Sequence, residues 1–298
     1  MKEVDRRGFL VGSVVALGSF GFGSSKVGAS SNSAWPHLRG WDASEVEKYA
    51  EWVENLYEVK REGTSKQKMA RIRRMFSDDE MNLLNDVEFL EEGNPQLSDS
   101  DLRMLHRSNH CGSFPKLLFN YYAYRRGLPA STTKIKMERG WDIRYSSGNH
   151  PVEVISSMPF DGDFSDYINR GMNGYKGWWN FVTGNFRTAP FLEDTDSVPI
   201  KIDRDSVKPG TFVYKGDGHA LVTSKIDDSG EVHFLDSHPG GSITFNQTLS
   251  AIPFVKRWSE DASEASLKRA YDGFRSMRFS KVEDGRVRYF TNEEMKEF

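Results

Sequence analysis

The sequence predicts an α+β protein, with a helical first half, an antiparallel strand-rich second half and the only cysteine at the start of one helix. Three observations carry this. Apolar residues recur at helical spacing from Val46 to Tyr57 and again from Leu117 to Tyr124. From Phe212 onward, strand-like runs are separated by Gly- and Asp-rich turns. The composition is that of an ordinary globular chain: 298 residues, 37% hydrophobic and 13% aromatic, with 40 Lys+Arg against 43 Asp+Glu. That balance excludes a polytopic membrane protein, a disulfide scaffold, a low-complexity chain and a strongly basic nucleic-acid binder. A chain this long buries a full core without disulfide or metal staples, and it contains no internal repeat.

Residues 1–29 read as an export signal and are set aside from the fold. Asp5-Arg6-Arg7-Gly8-Phe9-Leu10 has the form of a twin-arginine motif. A glycine-rich apolar run, Val11 to Gly23, follows it, and Val27-Gly28-Ala29 offers small residues for cleavage. The run is too short and too rich in glycine for a membrane-spanning helix. Location is therefore expected to be periplasmic or extracellular, with no integral membrane segment in the mature chain. Lys2, Arg6, Arg7 and Lys26 against Glu3 and Asp5 make the leader net +2, so its removal takes the chain from −3 to −5. A mildly acidic mature protein has no general attraction for nucleic acid.

The elements follow in order. Ser44-Glu45-Val46-Glu47 reads as a capping box opening a helix that runs to about Lys60. The basic stretch from Lys60 to Arg74 carries Met69, Ile72, Met75 and Phe76 at helical spacing, which predicts a solvated helix face. Ser77-Asp78-Asp79-Glu80 predicts a further short helix, and Ser98 to Arg107 another. These make a helical N-terminal region over 30–104, followed by an α+β domain over 105–298.

The next helix matters most. Leu117, Leu118, Tyr121, Tyr122 and Tyr124 are mostly apolar, Arg125 and Arg126 fill the last turn, Gly127 stops the helix and Pro129 lies just beyond. Ser108, Asn109 and His110 stand where it starts, and Pro115 is tolerated only in a first turn. Cys111 is thereby expected at the helix N-terminus, where unpaired N–H groups and the dipole favour a thiolate. A lone Cys is often a small buried hydrophobe. An unpaired thiol in an oxidising compartment, however, calls for a reason.

Downstream, Lys208-Pro209-Gly210 turns into a strand from Thr211 to Tyr214, and Gly216-Asp217-Gly218 turns again. His219 to Ile226 makes the next strand. Asp227-Asp228-Ser229-Gly230 closes a hairpin, and Glu231 to Asp236 returns. Pairing across that hairpin brings His219 beside Asp236. An imidazole beside a carboxylate is held in one tautomer and stabilised as imidazolium, the orienting half of a nucleophile–base–carboxylate triad.

A Cys before a helix, a His opening a strand and an Asp closing the next resemble the papain-like cysteine hydrolase superfamily. Cys111 to Pro129, with Lys208-Pro209-Gly210-Thr211-Phe212-Val213-Tyr214 and Gly218-His219-Ala220-Leu221-Val222, is similar to NlpC-type cell-wall peptidases. His219-Ala220 with Leu235-Asp236 looks like bacterial transglutaminase-like proteins. The resemblance covers Leu105 to Asn246. It implies a papain-like fold, thiolate attack by Cys111 on an amide carbonyl, general-base then general-acid work by His219, and Asp236 as third residue. The Cys111 N–H, helped by Asn109, would hold the oxyanion. A peptide or peptidoglycan-like substrate is implied, and no cofactor.

Two other function classes remain open at this level. A cell-envelope binding protein could keep the fold without activity. A metal-dependent hydrolase could use His219, Asp236 and His238, although His238 reads more simply as a turn residue or substrate contact and no metal is expected. An insertion over 130–207 holds Trp141, Tyr145, Tyr167, Tyr175, Trp178, Trp179, Phe181 and Phe186. Gly174 to Asn180 could present a sugar or peptide platform, against the plainer reading that these aromatics pack the insertion onto the domain. In the tail, Phe274 to Val282 and Arg286 to Phe290 predict a hairpin about Glu283-Asp284-Gly285, with its arginines on a solvated face.

Overall fold

The computed structural model describes residues 32–58, 69–79, 81–86, 89–90, 92–138, 148–173, 184–189, 192–215, 219–238, 242–248 and 273–298. The expected export signal over residues 1–29 and the aromatic run 174–180 lie outside them, as do Trp141, Tyr145 and Phe181.

The architecture is α+β. Helices α1 (Ala43–Glu58), α2 (Ile72–Ser77), α3 (Asp99–Arg107) and α4 (Phe114–Arg126) come before most of the strands. The exception is a short β1 (Met69–Arg71). Next come β2 (Ser131–Lys136), β3 (His150–Ser156), α5 (Phe164–Ile168), β4 (Ser197–Pro199), β5 (Phe212–Lys215), β6 (His219–Ile226), β7 (Val232–His238) and β8 (Ser242–Thr248). The chain ends with β9 (Gly273–Met277), β10 (Ser280–Glu283) and β11 (Arg286–Tyr289). Seven strands form an antiparallel sheet in the order β1-β8-β7-β6-β5-β9-β4, and β2-β3 and β10-β11 are separate two-stranded ribbons.

Period-two alternation builds the two faces of this sheet. Phe212, Tyr214, Ala220, Val222, Leu235 and Ile243 join the main core. The intervening Val213, Leu221, Phe234 and Phe274 form a smaller cluster with Val207. Helix α4 lies on the main-core face and is buried along its whole length, with Leu117, Leu118, Phe119, Tyr121 and Tyr122 fully so. Each such side chain contributes about 1.5–3 kcal/mol relative to exposure. Tyr49, Trp52 and Leu56 of α1 enter the same cluster, so the N-terminal helices complete the core beneath the sheet. Gly127 ends α4 in the left-handed region, φ 62°, with Leu38 packed where a side chain would sit.

Several local expectations change. Asp42, not Ser44, starts α1: its carboxylate accepts from the Glu45 N–H at 2.9 Å. Glu45 is instead buried, with its carboxylate 2.5 Å from the Arg126 guanidinium and 3.2 Å from the Tyr122 hydroxyl. Ser77 ends α2 rather than opening a helix. Asp78 makes a turn that accepts from the N–H groups of Met81 and Asn82, and only a 3-10 turn over Leu83–Asn85 follows. The basic stretch divides, since Met69–Arg71 pairs with β8 before α2 begins. Ser98 and Asp101 do form a capping box for α3.

The insertion contributes the β2–β3 ribbon and α5, and its described aromatics Tyr167 and Phe186 are buried in the core. The predicted tail strand breaks at Met277. Its first part pairs with β5 and β4 inside the large sheet, while its second part makes the β10–β11 ribbon. That break takes Arg275 and Arg278 off the solvated face on which they were expected. Both are buried, with Arg278 donating to the carbonyls of Thr195, Leu192 and Phe290, and Arg275 to that of Phe186. Buried guanidinium groups satisfied by backbone carbonyls fasten the tail to the insertion.

The Glu45–Arg126 pair should be costly to break from one side. Glu45→Gln leaves the fully buried Arg126 charge without its anion, and a loss of about 3–5 kcal/mol is expected. A lowered urea midpoint at unchanged slope would register it. Near-parental stability would show that the pair is dispensable.

Candidate active site

Cys111 lies in a turn one step ahead of α4, not on the helix itself. Ser113 and Phe114 donate their N–H groups to the His110 carbonyl, and the Ser113 hydroxyl accepts from the His110 N–H at 3.0 Å. The same hydroxyl donates back to the carbonyls of Ser108 and His110. Ser113 therefore pins the Cys-bearing turn and makes no side-chain cap to α4. The thiol is partly exposed.

Burial would push the Cys111 thiol up. Hydrogen bonds from His110 and from His219, together with the charges of both imidazoles, more than offset that and bring it down to about 6. Helix-end donors and a nearby imidazole were both expected to act here; the helix starts only at Phe114, and His219 is joined by His110 in lowering the thiol. His219 moves the opposite way. The Asp236 carboxylate beside the ring, and then Cys111, outweigh burial and raise it to about 10. The two displacements are opposite in sign, and both favour a thiolate beside an imidazolium.

Asp236 Oδ1 stands 3.1 Å from His219 Nε2. The pair is close but not well aligned, since this buried oxygen accepts no hydrogen bond. The meeting is also less direct than the hairpin pattern predicts. Val222 pairs with Leu235, and carrying that register three residues further sets His219 opposite His238. Asp236 reaches His219 diagonally, at a point where the β7–β8 register shifts between Phe234 and Asp236. Irregularities of this kind re-aim side chains.

His238 is the last residue of β7 and so belongs to the strand, not to a turn. Its Nε2 is 3.6 Å from Asp236 Oδ2, so the carboxylate has an imidazole near each oxygen. Asn109, two residues ahead of Cys111, is buried, and its Oδ1 accepts a 2.8 Å hydrogen bond from the Ser237 hydroxyl. The structure therefore sets His219 against both Cys111 and Asp236, and ties Asn109 to the residue after Asp236.

Two contributors do not stand out in the sequence. His110 reads there only as a polar residue at a helix start, although its place beside Cys111 is an available signal. Ser237 had no signal at all, because its link to Asn109 spans 128 residues.

Among the described residues, one set of three His, Cys, Asp or Glu side chains has ligand atoms all within 4.8 Å of one another: Asp227, Glu231 and His233, at the β6–β7 hairpin. His219, Asp236 and His238 do not form such a set. Among the described residues no helix is long and apolar enough to cross a membrane.

No family model matches the chain, and neither a curated protein nor a solved structure matches it.

Proposed function

We propose that the protein is a cysteine hydrolase or acyltransferase of papain-like type that acts on amide bonds through Cys111, His219 and Asp236. The observation that carries this reading is the opposed displacement of Cys111 and His219, with Asp236 3.1 Å behind the imidazole. A core cysteine has no use for an imidazole already loaded with a proton. A nucleophile does.

The chemistry starts from the ion pair. The Cys111 thiolate attacks the amide carbonyl carbon, a C–S bond forms, and the carbonyl π electrons move onto oxygen, where the Cys111 N–H can hold them. As the tetrahedral intermediate collapses, the His219 imidazolium gives its proton to the leaving nitrogen. The C–N bond breaks, and the amine departs from a thioester. Neutral His219 then takes a proton from water, for hydrolysis, or from an amine, for transfer. The second attack expels Cys111 as thiolate, and the ion pair is restored. Because the proton is already on His219, its first task is that of general acid, with general-base work following in the second half. Asp236 stabilises the imidazolium throughout.

Peptide substrates, including the stem peptides of a cell wall, fit an enzyme exported by the twin-arginine leader of residues 1–29. A nucleophilic role for Cys111 is then the reason an unpaired thiol is kept in an oxidising space.

Thiol chemistry tests the reading without knowledge of the substrate. The rate of Cys111 alkylation by iodoacetamide should rise with pH through a midpoint near 6, well below the ~8.5 of a free cysteine. The sign follows from the displacement: a lowered thiol pKa puts the thiolate in place above that midpoint. His219→Ala removes one of the two imidazole hydrogen bonds, so the midpoint should move up. A thiol that is inert in the folded protein, or that titrates near the free value, would overturn the proposal.

A further inference from the structure

A buried charged cluster that shares no residue with the Cys111 site lies where α4, β2, the start of β4 and β11 meet. Lys116 of α4 and Asp196, the residue before β4, have wholly buried side chains, with Nζ 3.6 Å from Oδ1. That is beyond hydrogen-bond length. Nζ donates instead to the Ser131 carbonyl at 2.5 Å, and it stands over the rings of Phe119 and Tyr289. Asp196 Oδ1 accepts from the Thr133 N–H at 2.8 Å and from the Tyr289 hydroxyl at 2.5 Å. Asp196 Oδ2, also buried, has no hydrogen-bond partner among the described residues.

This set serves an ion pair poorly. An ammonium has three protons to place, and a bare buried carboxylate oxygen bears the full cost of its lost water. The same set serves an amide completely: the nitrogen keeps one proton for the Ser131 carbonyl, Oδ1 keeps its two donors, and the orphaned oxygen is gone. We propose that Lys116 and Asp196 condense into an isopeptide bond between Nζ and Cγ, with the Thr133 N–H and the Tyr289 hydroxyl holding the oxyanion of the addition step.

Burial lowers the Lys116 amine from its usual value, which favours the unprotonated nitrogen that a nucleophile needs. One proton passes from Nζ to Oδ2. The Nζ lone pair then attacks Cγ, the C–N bond forms, and the carbonyl π electrons move onto Oδ1 between its two donors. Burial also holds the Tyr289 phenol well above its usual value, so it keeps the proton it donates. A second proton from Nζ goes to Oδ2, the Cγ–Oδ2 bond breaks and one water leaves. The third proton stays on the amide nitrogen. The two charges cancel, and no oxidant or cofactor enters. Holding the reactants side by side in a dry pocket replaces a bimolecular encounter. The bond ties α4, the helix that follows Cys111, to the segment that enters β4.

Mass spectrometry of the purified full chain is the test. The chain should weigh one water less than its sequence, with any leader cleavage read from the N-terminus. A succinimide at Asp196 loses the same mass, so the position is read from peptides. Trypsin should fail to cut after Lys116 and should release one branched peptide that carries both residues. Lys116→Met and Asp196→Ala should run at their full sequence masses. Tyr289→Phe, which keeps the ring and removes a donor, should slow condensation by about 10²–10³-fold, leaving uncondensed chain in fresh protein. Cys111→Ala should carry the bond as the parent does, because the acyl-transfer site takes no part.

A parent chain at full sequence mass, with Lys116 and Asp196 in separate linear peptides, would overturn the proposal. So would a water loss traced to a succinimide within one peptide. Condensation in Tyr289→Phe as fast as in the parent would overturn the assignment of the oxyanion donors.

Discussion

Cys111→Ala is expected to abolish amide turnover while substrate binding survives. The substitution removes one partly exposed sulfur from a turn that Ser113, not Cys111, holds in shape. The stability cost should accordingly be small, and the loss of rate should reflect chemistry alone. Binding can be measured by calorimetry with cell-wall peptides that the parent protein cleaves, and turnover by amine release. Full activity in the variant would exclude a covalent cysteine mechanism. Loss of both binding and activity would mean that Cys111 shapes the pocket and does not react.

Asp236→Asn should lower the rate by about 10²–10⁴-fold with little change in fold or binding, since the carboxylate fixes the imidazole tautomer and stabilises its charge. The structure adds a sharper expectation. The contact with the Asp236 carboxylate is the largest cause of the raised His219 value, so in Asp236→Asn the imidazolium should lose its proton at lower pH. The alkaline limb of the rate profile should shift down with it. His238→Ala, which leaves the 3.1 Å His219 contact in place, should cost far less. If instead His238→Ala matched Asp236→Asn and a chelator silenced the parent protein, a metal-dependent hydrolase would be the better account. A binding protein without catalysis would show no amide turnover in any of these chains.

Legibility from sequence followed the range of the interactions involved. The β5–β6–β7 meander could be read because its turns lie within a few residues of the strands they join, and Asp227 to Gly230 closes its hairpin as expected. Helix α4 could be read because Gly127 and the apolar run are local signals. The charges of Glu45, read as part of a capping box, and of Arg275 and Arg278, read as a solvated face, are each buried against a partner from a distant segment. A charge is solvated by default only while the chain offers it nothing better. Nothing near Glu45 in sequence announces Arg126, and nothing near Arg278 announces Thr195.

The sequence by itself determined the residue types on which the chemistry depends: a lone Cys before a helix, a His opening one strand and an Asp near the end of the next. It also determined the class of fold, because the change from helical to alternating periodicity is a local property of the chain. Tertiary structure decided how the thiolate is stabilised. The helix that was expected, with a nearby imidazole, to lower the thiol pKa begins only at Phe114, and a second imidazole, that of His110, acts on the thiol beside His219. It also decided the diagonal reach of Asp236, the second imidazole at its other oxygen and the hold of Ser237 on Asn109. These depend on strand register and on contacts across more than a hundred residues. Hydrogen bonds and pKa values respond to tenths of an ångström between such groups, and periodicity along one chain carries no distance across it.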